Sequence, residues 1–279
     1  MNNPTAPINW QVVATSQDTG GSSAADHWHI YAHGFHWISF SANNAKDGYL
    51  LKLDRDFRRI ALFTVVQNST LPTNDMFMVA EPEGVTVGYL LPNFGHRLYR
   101  FDVNGALRGT VQIGGGSFIH SNGASAMLTQ SGFLVLAPET LNPFATSGFK
   151  KLQFDLSWRP ITAAFVLNED GKQYAMPSGV LLSTGYLVVN TRLREGVSLR
   201  GAPPTSTGGG EAQRLPPDDG SIVRFTTAPD GSVSARQTIA PSGANRPHTV
   251  LIGDLMITSW DGPAPGGRTS YLRIDRITY

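Results

Sequence analysis

A phrase that recurs five times in this sequence constrains its fold more than any other feature. Each copy alternates apolar and polar residues and ends at an apolar residue, which in most copies is followed by Asp. That apolar residue falls at Leu53, Phe101, Phe154, Phe225 and Ile274. Short alternating runs indicate β-strands with one buried face, and their regular recurrence indicates a repeat architecture.

The spacing of the copies predicts which architecture this is. Successive intervals are 48, 53, 71 and 49 residues, and the long one contains a Gly- and Pro-rich stretch at residues 196–219. Without those 24 residues the long interval becomes 47. A period of about 50 residues with four short strands in each repeat is typical of the blades of a β-propeller.

The strand order within the repeats predicts how the ring closes. Each repeat reads as strands A, B, C and D, and A is joined to B by a tight turn with Gly at or near it, such as His33-Gly34. The fifth repeat ends after strand C at Tyr279, while an alternating segment, residues 8–14, stands alone before the first repeat. We therefore expect residues 8–14 to become the fourth strand of the last blade, because closure removes an exposed edge.

The predicted fold class is all-β: one domain, residues 1–279, forming a five-bladed β-propeller of four-stranded antiparallel blades. The stretch at 196–219 is predicted to be a flexible surface insert in blade four, since its composition cannot bury a core. An open β-sandwich with loose repeats is the alternative, although a sandwich does not need a regular four-strand unit.

Composition and charge exclude several classes of function. A net charge of +1, from 22 basic and 21 acidic residues, argues against the basic face of a nucleic-acid-binding protein. No apolar run approaches the roughly 18 residues of a membrane span, so no membrane partner is expected. The first residues lack a signal-peptide pattern. A soluble protein is expected, with secretion after removal of a signal left open. The absence of Cys excludes disulfides and thiolate metal sites.

Topology nominates the candidate ligand-binding residues. Strand A of each blade lines the propeller axis, and ligands usually bind at the face where these strands begin. The side chains at or near those positions include imidazoles, amides, aromatic rings and a guanidinium, which suit a small polar or carbohydrate ligand. They are His27, Trp28, His29, Asn74, His120, Asn122, Tyr174, Arg246 and His248.

Two of these histidines suggest a metal ion. His29 and His248 each lie five residues before the turn Gly of their repeat, which predicts equivalent positions in blades one and five. Imidazole is a ligand for Zn, Fe or Ni, so a single metal ion in the central channel is one prediction. The other is that these histidines cap strand ends and bind channel water.

The segment from Asp26 to Ser41 resembles the first blade of five-bladed glycoside hydrolases of the family 43 type. That resemblance implies that Asp26 is a general base, with Asp75 as a further candidate catalytic carboxylate if the protein is an enzyme. It also implies a Glu general acid at the start of the fourth blade, where this chain reads Tyr174-Ala-Met-Pro-Ser178. The nearest acids are Glu169 and Asp170. Glycoside hydrolysis by paired carboxylates requires a protonated acid, so the sequence departs from the family there.

Two classes of function therefore stay open at the axial face. One is a propeller that binds a carbohydrate or similar polar ligand, and the alternative is a glycosidase-like or metal-dependent enzyme.

The aspartates that recur in strand C are expected to be structural, because a residue repeated in four blades belongs to the scaffold. These are Asp54, Asp102, Asp155 and Asp275.

Overall fold

The computed structural model describes residues 24–71, 73, 76–91, 95–113, 124–142, 145–169, 172–195 and 220–278. These residues form five antiparallel sheets, each made of strands that are consecutive in the chain. The predicted all-β, five-bladed propeller fold is confirmed. Four sheets have four strands and the last has three in the described part of the chain. Residues 8–14, and hence the predicted closure, lie outside the described residues.

The first sheet belongs to a compact unit that ends at Thr73. It contains β1 (Ala24–Ala32), β2 (Phe35–Ala42), β3 (Asp47–Leu53) and β4 (Arg59–Val66). The two-residue turn at His33 and Gly34 has φ of 56° and 80°. Positive φ at both positions is the geometry of a tight β-hairpin turn. The turn brings Ala32 opposite Phe35 as the last residue pair of the two strands.

The other four sheets belong to a second compact unit that begins at Asn74. The second sheet contains β5 (Phe77–Glu81), β6 (Gly84–Leu91), β7 (Gly95–Asp102) and β8 (Leu107–Ile113). The third contains β9 (Ser125–Thr129), β10 (Gly132–Asn142), β11 (Ala145–Phe154) and β12 (Pro160–Asn168). The fourth contains β13 (Lys172–Leu181), β14 (Leu187–Glu195), β15 (Ser221–Thr227) and β16 (Gln237–Ala240). The fifth contains β17 (Asn245–Ile252), β18 (Leu255–Ala264) and β19 (Gly267–Arg276).

The first strands of these four sheets pack against one another in order. β5 contacts β9, β9 contacts β13, and β13 contacts β17. Within this unit, strand A is therefore the inner strand of each sheet, as the repeat predicts. No helix in the described ranges is long and apolar enough to cross a bilayer. The prediction that residues 1–279 form a single domain stays a prediction.

Strand A of the fourth sheet is longer than its sequence pattern suggests. The alternating pattern places its start at Gly179, whereas β13 begins at Lys172. A β-bulge between Ala175 and Ser178, with Met176 at a φ of 52°, lets the strand continue past Pro177. The insert at 196–219 joins β14 to β15 and lies outside the described residues.

Three of the recurring aspartates have the expected turn-forming role. The Oδ1 atoms of Asp54, Asp102 and Asp155 each accept hydrogen bonds from the backbone N–H groups two and four residues later, at 2.8 to 2.9 Å. Asp275 differs, because its carboxylate is held by Arg224 and Arg273. This ion pair links the fourth sheet to the fifth.

Candidate functional site

The structure describes six of the candidate residues in full. They are His27, Trp28, His29, Tyr174, Arg246 and His248. The backbone of Asp26 lies in β1. Asn74, Asp75, His120 and Asn122 lie outside the described residues, so their predicted roles stay predictions.

Tyr174 is a core residue of the fourth sheet rather than an open contact surface. Its side chain is fully buried and packs with Leu136, Leu187 and Val189. Its hydroxyl donates a hydrogen bond to Glu169 and accepts one of 2.6 Å from Arg236. Burial, followed by the hydrogen bond to Glu169, raises the pKa of Tyr174, so the phenol stays protonated.

Glu169, the carboxylate nearest to the start of β13 in the described residues, is held in its ionised form. Arg236 and Lys172 approach its Oε2 at 2.7 and 3.2 Å. Burial alone raises the pKa of Glu169, but hydrogen bonds from Tyr174 and Lys172 and the charge of Arg236 outweigh it and hold that pKa below its usual value. In the segment where the resemblance implies an acid, residues 174–178, the chain has no carboxylate.

The start of the fifth sheet presents polar groups. A bulge between Asn245 and His248 gives Arg246 a φ of 50° and leaves it exposed, while His248 is half-buried opposite Ser259. Asn245 pairs in register with Asp261. The Oδ1 atoms of both side chains are buried, and no described residue donates a hydrogen bond to them. Buried acceptors normally have a donor, and a water or a ligand hydroxyl can supply one there.

The strand register agrees with the predicted equivalence of His29 and His248. His36 pairs with Leu53 and Ile257 pairs with Ile274, the apolar residues that mark the first and fifth repeats. His29 pairs with the residue two positions after His36, and His248 pairs with the residue two positions after Ile257. The two histidines therefore occupy corresponding positions in their own sheets. That they hold one metal ion stays a prediction.

His29 also has a hydrogen-bond partner in its own sheet, which sequence reasoning missed. Its Nε2 lies 3.0 Å from Nδ1 of His36, across the hairpin. The ring of His36 stacks on Phe57 with centroids 4.1 Å apart and lies 4.8 Å from the ring of Tyr31. Partial burial, then the charges of His36 and His27, lowers the pKa of His29. The two-residue turn at His33-Gly34 was the signal, because it places His36 opposite Tyr31 and diagonal to His29.

A cleft of about 840 Å³ lies between the third and fourth sheets, at the end carrying the A–B turns. Leu128 and Leu181 contribute apolar surface, and Lys151 and Gln153 contribute polar groups. This end is opposite to the one where the first strands begin, so the cleft is separate from the predicted ligand-binding residues of these two sheets. In the described ranges, no group of three or more His, Cys, Asp or Glu side chains is arranged to hold a metal ion.

Comparisons with known proteins support the fold. No protein-family profile and no curated protein sequence matches the chain. Among solved structures, it is similar to an exo-β-1,3-galactanase from Phanerochaete chrysosporium (12% identity, TM-score 0.58), covering 89% of this chain and 59% of that one. It also resembles an endo-arabinase from Bacteroides thetaiotaomicron, with 10% identity and a TM-score of 0.57, covering 91% of this chain and 94% of that one. A third similar structure is an α-L-arabinofuranosidase from Podospora anserina, with 8% identity and a TM-score of 0.56. The match covers 95% of this chain and 94% of that one.

These likenesses establish that the chain shares the five-bladed propeller fold of these glycoside hydrolases. The chain spans less than two thirds of the length of the galactanase. At such low identity the shared feature is the fold, because one fold hosts many unrelated functions.

Proposed function

We propose that this protein binds a carbohydrate near the point where β13 and β17 begin, without hydrolysing it. The solved structures that share its fold include an exo-β-1,3-galactanase with β-1,3-galactotriose and an arabinofuranosidase in complex with cellotriose. Fold likeness makes a glycan the first ligand class to test, and the residues at the site decide between binding and catalysis.

The start of the fourth sheet is the observation that favours binding. Hydrolysis by paired carboxylates needs one carboxyl group that still holds a proton near neutral pH. The segment where the family resemblance implies that acid, residues 174–178, contains no carboxylate. Glu169 is ionised by its contacts with Lys172 and Arg236, so it is a poor proton donor.

The start of the fifth sheet supplies groups suited to sugar hydroxyls. Arg246 is exposed and donates hydrogen bonds only, whereas His248 can donate or accept. The undonated oxygens of Asn245 and Asp261 lie on the same strand pair. Because a sugar hydroxyl both donates and accepts, it complements this mixture of groups directly or through a bridging water.

Calorimetric titration with oligosaccharides tests this site. Arg246→Ala is expected to weaken binding of whichever oligosaccharide the wild type retains by about 1.5 to 3 kcal/mol, the range for a hydrogen bond to a charged group. Arg108→Ala is a matched control, because Arg108 is an exposed arginine on the outer strand β8, where it pairs with Glu83 at 3.2 Å. Equal affinity of both variants and the wild type would place the ligand elsewhere, with the cleft between the third and fourth sheets as the next candidate.

A glycosidase-like or metal-dependent enzyme is the second candidate, favoured by the resemblance around Asp26. If it is correct, purified protein releases sugar from one of the same oligosaccharides. Turnover that is abolished by Asp26→Asn would support a glycosidase, whereas turnover abolished by a chelator would support metal-dependent catalysis.

A further inference from the structure

Two imidazole nitrogens of the first sheet face each other. His29 Nε2 and His36 Nδ1 are 3.0 Å apart, the ring centroids are separated by 5.1 Å, and the ring planes differ by 28°. The distance between the centroids exceeds the distance between the nitrogens by about the sum of the two ring radii. The two nitrogens therefore point directly at each other, and the rings lie nearly in one plane. In the neutral pair one nitrogen donates its N–H to the in-plane lone pair of the other.

The repeat itself does not require this pair of histidines. Aligned on the apolar residue that marks each repeat, His36 corresponds to an apolar residue in every other sheet, so none of them has a second histidine at this position. The counterparts of His36 are Val85, Phe133, Val189 and Ile257. The imidazole pair is thus an addition to a scaffold that forms without it.

The ring of His36 is held in place by a stack that the third sheet also contains. Phe57 covers His36 at a centroid distance of 4.1 Å and an interplanar angle of 19°. The corresponding rings of the third sheet, Phe133 and Trp158, stack at 4.1 Å and 6° and are buried. Phe57, by contrast, is 44% exposed, and His29 is exposed as well. The first sheet therefore presents a fixed imidazole and a second, solvent-accessible one.

We propose that His29 Nε2 and His36 Nδ1 together bind a divalent transition-metal ion, with Zn²⁺, Cu²⁺ and Ni²⁺ as the fitting class. Imidazole nitrogen suits these ions. Two nitrogens at about 2.0 to 2.1 Å from a tetrahedral ion are separated by roughly 3.4 Å. The observed 3.0 Å must therefore open by a few tenths of an ångström. Because the two rings point at each other, the exposed ring of His29 must also swing off the line that joins the nitrogens, so that both lone pairs aim at the ion.

The ion would replace the hydrogen bond between the rings, and the proton of the donating imidazole would move to the other nitrogen of the same ring. Water would complete the coordination of the ion on the exposed side of His29. Two protein ligands give a site with open positions, unlike a closed structural zinc site. This inference is independent of the proposed carbohydrate function, because it uses residues of β1 and β2 only.

Calorimetric titration of the intact protein with ZnCl₂ at neutral pH tests the proposal. His29→Ala and His36→Ala are each expected to weaken Zn²⁺ binding by at least about tenfold, a difference of 1.4 kcal/mol. His33→Asn is the matched control: it removes an imidazole from the same hairpin, and Asn tolerates the φ of 56° at that turn position. Its affinity should equal that of the wild type.

A second measurement does not depend on the variants folding. In the wild-type protein, nitrogen-15 NMR of the imidazoles should show the His29 Nε2 and His36 Nδ1 resonances shifting together on addition of Zn²⁺. Wild-type protein that takes up no Zn²⁺ at millimolar concentration would overturn the proposal. So would Zn²⁺ binding that survives both substitutions, or that shifts other histidines while these two stay unchanged.

Discussion

Glu81 joins the second and third sheets, and replacing it tests whether a buried carboxylate holds these two blades together. Its side chain is 1% exposed and accepts hydrogen bonds from Thr86, from Arg100 at 2.7 and 2.8 Å, and from the indole N–H of Trp158 at 3.1 Å. Burial alone raises the pKa of Glu81, but the hydrogen bonds from Arg100, Thr86 and Trp158 outweigh it and hold that pKa below its usual value.

The expected cost of Glu81→Ala follows from these contacts. Trp158 and Thr86 are buried, so each donor left without an acceptor costs about 1 to 3 kcal/mol, and Arg100 loses both of its carboxylate contacts. The hydroxyl of Thr86 can rotate and Arg100 is 21% exposed, so both relax in part. We expect a loss of about 3 to 5 kcal/mol in the free energy of unfolding, the range for breaking a buried ion pair.

Urea denaturation followed by tryptophan fluorescence measures this loss. Glu83→Ala is the matched control, because Glu83 lies in the same hairpin, is 75% exposed and pairs only with Arg108. Its cost should stay below about 1 kcal/mol. The advantage of the wild type over Glu81→Ala should also shrink as the pH falls below 4.5, because the unfolded chain then takes up a proton that the folded carboxylate resists. Equal midpoints for the two variants would refute this explanation of the contact between the blades.

Three further predictions concern stability. Burial lowers the pKa of His96 to about 4, so the free energy of unfolding should fall by about 3 kcal/mol as the pH drops from 6.5 to 4. Urea titrations at stepped pH should show that His96→Phe loses this dependence. Asn190 is buried and forms hydrogen bonds with Thr249, Thr258 and Arg224, so Asn190→Ala should lower the free energy of unfolding in urea by about 2 to 4 kcal/mol. The control Asn104→Ala, in an exposed turn, should lower it by less than about 0.5 kcal/mol. Replacing residues 196–219 with Gly-Asn should leave the circular dichroism spectrum and the cooperative melting transition intact, because loop length costs little beyond closure entropy, and global unfolding would contradict that expectation.

Much of the fold was predictable because the repeat reports on backbone pattern. Asp54, Asp102 and Asp155 each recur before a turn, and each closes that turn by accepting backbone N–H groups. The exceptions arise where a local irregularity is invisible in the alternation. Pro177 suggested a loop at the start of the fourth sheet, but a bulge beside Met176 accommodates it inside β13.

The candidate site was predictable only in part. Equal spacing from a turn Gly predicts corresponding positions for His29 and His248, and the strand register agrees. The contact between His29 and His36 was missed, because the pairing across the hairpin at His33-Gly34 was not worked out. The burial of Tyr174 and the bonds of its hydroxyl depend on side chains from β10 and β14 and on Arg236, just before β16, which no local pattern reveals.

The most direct test of the proposed function measures binding and turnover in the same samples. Purified protein is titrated calorimetrically with β-1,3-galactotriose, arabino-oligosaccharides and cellotriose, and each sample is then analysed chromatographically for released sugar after prolonged incubation. Binding to at least one of these oligosaccharides with no product is the result we predict. Release of sugar by the wild-type protein, or no binding to any oligosaccharide, would contradict the proposal that this propeller binds a carbohydrate without hydrolysing it.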